Sequence, residues 1–207
     1  MLGIDKFTAA SILSLLVLVS AVARENGTDA GVEADTPRYT TAGELQIPAR
    51  FREWVFLSSG LDMNYKQAAA PGHSNFDNVF VNPTSYRAFL QSGTWPDRTM
   101  FVLEIRAAAS AASINRNGKT QSERVVAKEL HVKDARLEGG WGFFAVADSG
   151  VGIPIKRPAE CYECHEAHAA VDTTFVQFYP TLLSVAKAKG TLSPSYLKEE
   201  KTSQGTQ

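Results

Sequence analysis

The pentapeptide Cys161-Tyr162-Glu163-Cys164-His165 constrains this chain more than any other stretch. Two cysteines separated by two residues, with a histidine directly after the second, have the spacing of a c-type haem attachment site. The two thiols can add to the two adjacent vinyl groups of the macrocycle, and the histidine then reaches the iron from the same segment. A chain built this way has to fold a haem-sized cavity around residues 161–165. The expected assignment is covalent attachment through Cys161 and Cys164, axial iron ligation by His165, and one haem c, since the motif occurs once.

Two other chemistries use similar residues. A thioredoxin-like redox pair has the same cysteine spacing but usually sits early, between a strand and a helix of a βαβ unit. Here the pair is late and is followed by histidine. A zinc site built from Cys161, Cys164, His165 and His168 would take all four ligands from eight residues, whereas structural zinc normally joins two separated pairs. No other cysteine is present to form a disulfide with either thiol.

Residues 1–23 carry Lys6, an apolar run over 11–22 and the small residues Ala21 and Ala23, the pattern of a cleavable export signal cut after Ala23. The run falls short of the roughly 20 apolar residues of a membrane span, so no stable membrane insertion is expected after cleavage. Export agrees with covalent haem attachment and predicts a periplasmic protein. A formal net charge of -1, from 21 basic and 22 acidic residues, argues against nucleic acid as a partner.

The rest of the chain is expected to organise as a polar arm over 24–45, one domain over 46–190 and a frayed tail over 191–207. Ile47, Phe51, Trp54 and Val55 recur at helical spacing, which predicts an amphipathic helix ending near Gly60. A short strand over 77–81 follows, then a helix from Asn82-Pro83 to about Gln91. Strands are expected over 99–106, 123–133 and 141–147, from their β-branched and aromatic content and the glycines between them. Val171, Phe175, Phe178 and Leu182 predict a terminal helix beside the haem, interrupted near Pro180. The pattern is α+β, an antiparallel sheet core flanked by N- and C-terminal helices, with the haem attached late in the chain.

The late haem motif, the strand over 99–106 after Trp95-Pro96-Asp97, the Gly139-Gly140-Trp141 strand and the run from His168 through Asp172 and Phe175 to Tyr179-Pro180 resemble the cytochrome P-460 family, over about 47–183. The resemblance implies a homodimeric haem protein with His165 as proximal ligand and an open distal site, served by a redox partner protein. Members like cytochrome P-460 itself oxidise hydroxylamine and carry a lysine cross-linked to the macrocycle. The cytochrome c′-beta relatives lack that bond and bind nitric oxide and carbon monoxide under an apolar cap.

The strand over 99–106 has no lysine. Lys128 is the first candidate for a cross-link, followed by Lys119, Lys66 and Lys133. Glu104 or Asp148 is a candidate for moving protons during oxidation of a nitrogen substrate, and Phe101, Phe143 and Phe144 are candidates for an apolar distal pocket. Core packing for the phenylalanines and a solvated position for the carboxylates are the ordinary alternatives. A third function, a six-coordinate electron carrier without catalysis, would draw its sixth ligand from Met63, Met100, His73, His131 or His168.

Overall fold

The computed structural model describes residues 35–63, 65, 74–110 and 113–204. The expected export signal, the arm up to residue 34, Lys66 and His73 lie outside them. Seven strands, β1 (Leu45–Gln46), β2 (Val55–Leu61), β3 (Asn75–Val81), β4 (Met100–Ala109), β5 (Thr120–Lys133), β6 (Trp141–Val146) and β7 (Val151–Pro154), form one sheet in the order β1-β7-β6-β5-β4-β3-β2. Every pairing is antiparallel. Helix α1 (Pro83–Ser92) lies between β3 and β4, and α2 (Glu160–His168), α3 (Pro180–Lys189) and α4 (Pro194–Gln204) follow the last strand. The α+β class and the antiparallel core are as the sequence predicts. Among the described residues no helix is long and apolar enough to cross a membrane.

Directly paired residues of an antiparallel sheet share a face, and successive residues alternate. Val81, Phe101, His131 and Phe143 therefore make one cross-strand row, and Val79, Leu103 and Glu129 the row beside it. This face packs against the helices through a core that includes Phe101, Trp141, Phe89, Trp95, Val176 and Leu182. The alternate residues Phe80, Val102, Leu130 and Phe144 form a row on the other face. There they build a second core with Leu45, Phe51 and Trp54.

Several expectations are corrected. The helix predicted after Pro48 is a 3-10 turn (Phe51–Glu53) running into β2. The helical spacing of Phe51 and Trp54 reflects packing on the second face, while Val55-Phe56-Leu57 has strand chemistry and completes the sheet edge. The sheet thus has no N-terminal helix beside it among the described residues. The described end of the arm is not loose: Leu45 is fully buried and paired to Gly152, and Tyr39 donates to Asp134 Oδ2 at 3.1 Å. Strand β7 also forms where no strand is expected: it lies between β1 and β6, but β1 covers only Val151 and Gly152, so Pro154 at the strand's end needs to bond on one side only. The predicted tail forms α4, joined to the body where Ser193 donates from its N–H to Ala170 O at 2.8 Å and from its hydroxyl to Ala169 O at 2.6 Å.

Helix α1 starts and stops as predicted, with Pro83 in its first turn and Gly93 left-handed at φ 74°. Asn82 does not cap it. Its side chain accepts from Met100 N–H at 2.9 Å and donates to Asp35 O at 3.0 Å, so it stitches the start of β4 to the N-terminal segment.

If the N-terminal segment is part of the fold, Leu45→Ala removes a fully enclosed side chain and should cost about 2–5 kcal/mol in denaturant unfolding. An unchanged midpoint would mean that the segment is dispensable.

Candidate functional site

Helix α2 places Cys161, Cys164 and His165 at positions i, i+3 and i+4, which share one helical face. That face opens on a cavity of about 480 Å³ whose walls include both cysteines, His165, Phe101, Leu103, Ile105 and Phe143. Between the cysteines, Tyr162 points the other way and is buried. Its hydroxyl accepts from Phe143 N–H at 3.2 Å and donates to Ile155 O at 3.0 Å, while the Arg157 guanidinium lies 3.9 Å from its ring centroid. The tyrosine inside the motif thus bolts α2 to the sheet.

The His165 imidazole is oriented by one bond: Nδ1 donates to the backbone carbonyl of Thr173 at 2.7 Å. A carbonyl only accepts, so the proton sits on Nδ1 and the Nε2 lone pair is free for a metal. Burial holds the ring's pKa below the usual histidine value against the opposing effect of the Thr173 bond, which keeps it neutral as ligation requires. Phe175 at 4.1 Å, Phe143 at 4.7 Å and His131 at 5.0 Å, between ring centroids, fix its plane.

The loop that carries Thr173 is held in turn. Asp172 is left-handed at φ 53°, and its carboxylate pairs with Lys133 Nζ at 3.2 Å. Lys133 also donates to Trp95 O at 2.8 Å, and Trp95 Nε1 donates to Thr174 Oγ1 at 2.7 Å. The Trp95-Pro96-Asp97 loop and the 168–180 run are therefore two halves of one support beneath His165.

His131, a candidate sixth ligand, lies beside His165, ring centroids 5.0 Å apart and edge to face. Its ring stacks on Phe143 at 4.0 Å and its Nε2 lies 3.2 Å from Thr173 Oγ1. Burial, with the neighbouring His165, pushes its pKa well below the usual value, so it is a neutral supporting ring. His168 leaves the site altogether and pairs with Glu199. Among the described residues no three His, Cys, Asp or Glu side chains converge as a metal site on their own, which removes the zinc arrangement.

The sheet's alternation decides the remaining candidates. Phe101 and Phe143 face the cavity. Phe144 belongs to the opposite core and is corrected as a distal residue. Glu104 and Lys128 are paired neighbours on that same far face, so neither can reach the cavity as proton shuttle or cross-link. Glu104 is instead the centre of a buried ion cluster. Burial alone would raise its carboxyl, but hydrogen bonds and charge from Arg106 (2.6 Å) and Arg52 hold it below the ordinary value. Lys119 pairs with Asp62 at 3.7 Å and Lys133 serves Asp172. Asp148 is not among the cavity's lining residues.

Among the described residues, the carboxylates that face the cavity are Asp77 on β3, Glu129 on β5 and Glu160 at the start of α2. Burial, then the charges of Asp62 and Glu129, push Asp77 up to about 6. Burial also raises Glu129. Sequence reasoning missed both, although the signal was available: once Phe101 is placed on the cavity face, alternation carries Leu103 and Ile105 with it, and pairing carries Glu129 and Asp77.

The residues present fit a haem. The cavity lies in the size range of cofactor sites, its walls are largely apolar, both thiols border it, and a neutral imidazole offers it a free nitrogen. The family model described as Cytochrome P460 matches residues 48–176. No curated protein matches the chain.

Asp77 generates a pH prediction. Its folded value of about 6 lies above the ordinary 3.8, so the folded state binds its proton more tightly than the unfolded chain. That contribution to stability is fully present below 3.8 and is lost as pH rises to about 6. Asp77→Asn should therefore flatten this part of the stability profile and raise the melting temperature at neutral pH. Parallel profiles for the two proteins would show that the carboxyl is not perturbed.

Proposed function

This chain belongs to the cytochrome P460 family, and from that premise we propose an exported protein that holds one haem c through Cys161 and Cys164, with His165 as axial ligand and the opposite iron position exchangeable for small nitrogen species. The observation that carries the reading is the convergence of both thiols and the free nitrogen of His165 on one cavity. The same reading puts the protein in the periplasm, delivered by the leader over 1–23, as a homodimer exchanging electrons with a redox partner protein.

When bound, the haem supplies an iron that takes up small molecules and exchanges electrons. The chain's own residues do the rest. Thioether bonds from Cys161 and Cys164 would keep the macrocycle attached to α2 while small molecules come and go. The Thr173 carbonyl keeps the His165 ring in the ligating tautomer. Val79, Phe101, Leu103 and Ile105 keep water from the cavity and favour uncharged diatomic ligands such as nitric oxide and carbon monoxide. No lysine stands among the described lining residues to form a macrocycle cross-link.

Asp77 and Glu129 favour a second reading at the same site, oxidation of hydroxylamine. That oxidation releases protons, and a carboxyl near pH 6 accepts one at neutral pH and returns it to water. Rates with an added electron acceptor should then rise through about pH 6 and fall in Asp77→Asn.

The test begins with the purified holoprotein. Haem should stay with the chain through denaturing electrophoresis and be lost in the Cys161→Ala, Cys164→Ala double variant, and the reduced spectrum should shift with nitric oxide and with carbon monoxide. Equal haem stain in the double variant, or a reduced spectrum indifferent to both gases, would overturn the proposal.

A further inference from the structure

We propose that Lys133 and His131 set the strength of the iron–His165 bond, by clamping Asp172 and Thr173 so that the Thr173 carbonyl stays on His165 Nδ1. The inference rests on the haem reading above and gives it two positioning residues, both on β5.

His131 and Lys133 are two apart on one strand, paired to Phe143 and Trp141, so they share the helix-side face of the sheet. From there they reach consecutive residues of one loop. His131 Nε2 lies 3.2 Å from the Thr173 hydroxyl, and Lys133 Nζ lies 3.2 Å from Asp172 Oδ2. Lys133 also donates to Trp95 O at 2.8 Å, and the Trp95 N–H donates to the same Asp172 oxygen at 3.4 Å. Ammonium, carboxylate and the Trp95 backbone thus close a triangle.

The base of the clamp is itself fixed. Lys133 N–H donates to Thr99 O at 2.9 Å, and Lys133 O accepts from Arg98 N–H at 2.8 Å. The His131 ring lies flat on Phe143, with 9° between the planes.

The clamped dipeptide needs this hold. Asp172 is left-handed at φ 53°, a conformation that persists in a non-glycine residue when its surroundings impose it. Rotation at Asp172 would swing the next peptide unit, and with it the carbonyl that lies 2.7 Å from His165 Nδ1. On the far side Thr174 is already anchored, accepting from Trp95 Nε1 at 2.7 Å and donating from its hydroxyl to Val171 O at 2.8 Å. Asp172 and Thr173 are the links that β5 holds.

An acceptor on Nδ1 makes the imidazole a stronger donor through Nε2, which is one of the protein's means of tuning a haem iron. Lys133 is not among the cavity's lining residues, so it reaches the iron only through the loop and His165.

The experiment compares holoproteins of the parent, Lys133→Met, Asp172→Asn and Thr173→Val. Methionine keeps an unbranched stem and removes the ammonium. Asparagine tolerates the left-handed turn and removes the charge. Valine keeps the branched shape and the backbone carbonyl and removes the hydroxyl. In the reduced proteins the iron–histidine stretching band should move to lower frequency in all three, and furthest in Lys133→Met; loss of a distant charge alone leaves that band in place. In the carbon monoxide complex of Lys133→Met, the His165 Nδ1 proton should exchange with solvent about 10-fold faster, as release of one hydrogen bond allows. A folded Lys133→Met holoprotein with the parental band and exchange rate overturns the assignment and leaves the haem reading standing. Should that variant fail to fold, Asp172→Asn decides by the same two readouts. A parental band in Thr173→Val overturns the part given to His131. Absence of covalent haem from the parent overturns the haem reading, and this inference with it.

Discussion

The bond on which the site depends is the one from His165 Nδ1 to the Thr173 carbonyl. It is a single neutral hydrogen bond, worth on the order of 1 kcal/mol in stability, yet it selects the tautomer and points the free nitrogen into the cavity. Its acceptor belongs to a loop, and a loop is a poor anchor unless something else holds it. Here Asp172, Lys133, Trp95 and Thr174 supply that hold through an ion pair and buried hydrogen bonds. The indole of Trp95, in the core at 2% exposure, thereby ties imidazole orientation to the folding of the helix-side core.

The sheet contributes by sorting side chains between two surfaces. On the cavity side it presents Phe101, Leu103, Ile105, His131 and Phe143; on the other it closes a separate core and buries the Glu104 ion cluster. A one-residue difference in strand position exchanges the two roles. That is why Phe143 borders the site while Phe144 packs against Leu45, and why Leu103 lines the cavity while Glu104 pairs with arginines. The far face is structural, and its Glu104 stays ionised because Arg52 and Arg106 offset the desolvation it would otherwise suffer.

The electrostatics of the cavity follow from its lining. Carboxylates face it and, among the described residues, no lysine or arginine does. Burial, joined at Asp77 by the charges of Asp62 and Glu129, shifts Asp77 and Glu129 toward their protonated forms.

By itself the sequence determined the chemistry that is local in the chain. The spacing of Cys161, Cys164 and His165 fits one helical face whatever surrounds it, the strands over 99–106, 123–133 and 141–147 declared themselves through β-branched and aromatic runs, and Pro83 and Gly93 marked a helix. Tertiary structure decided what depends on pairing across distance. Phe51 and Trp54 kept a helical rhythm but were drawn to a turn and a sheet edge by a core formed with Leu45 and Val102. Strand alternation sets Lys128 on one face with Val126 and Leu130, but which face looks on α2 depended on the register of β4 against β5. Asp77, Glu129, His131 and Met63 reached the site only because three antiparallel strands and a turn at Asp62 bring distant positions together, and a linear pattern holds no record of which strand lies beside which.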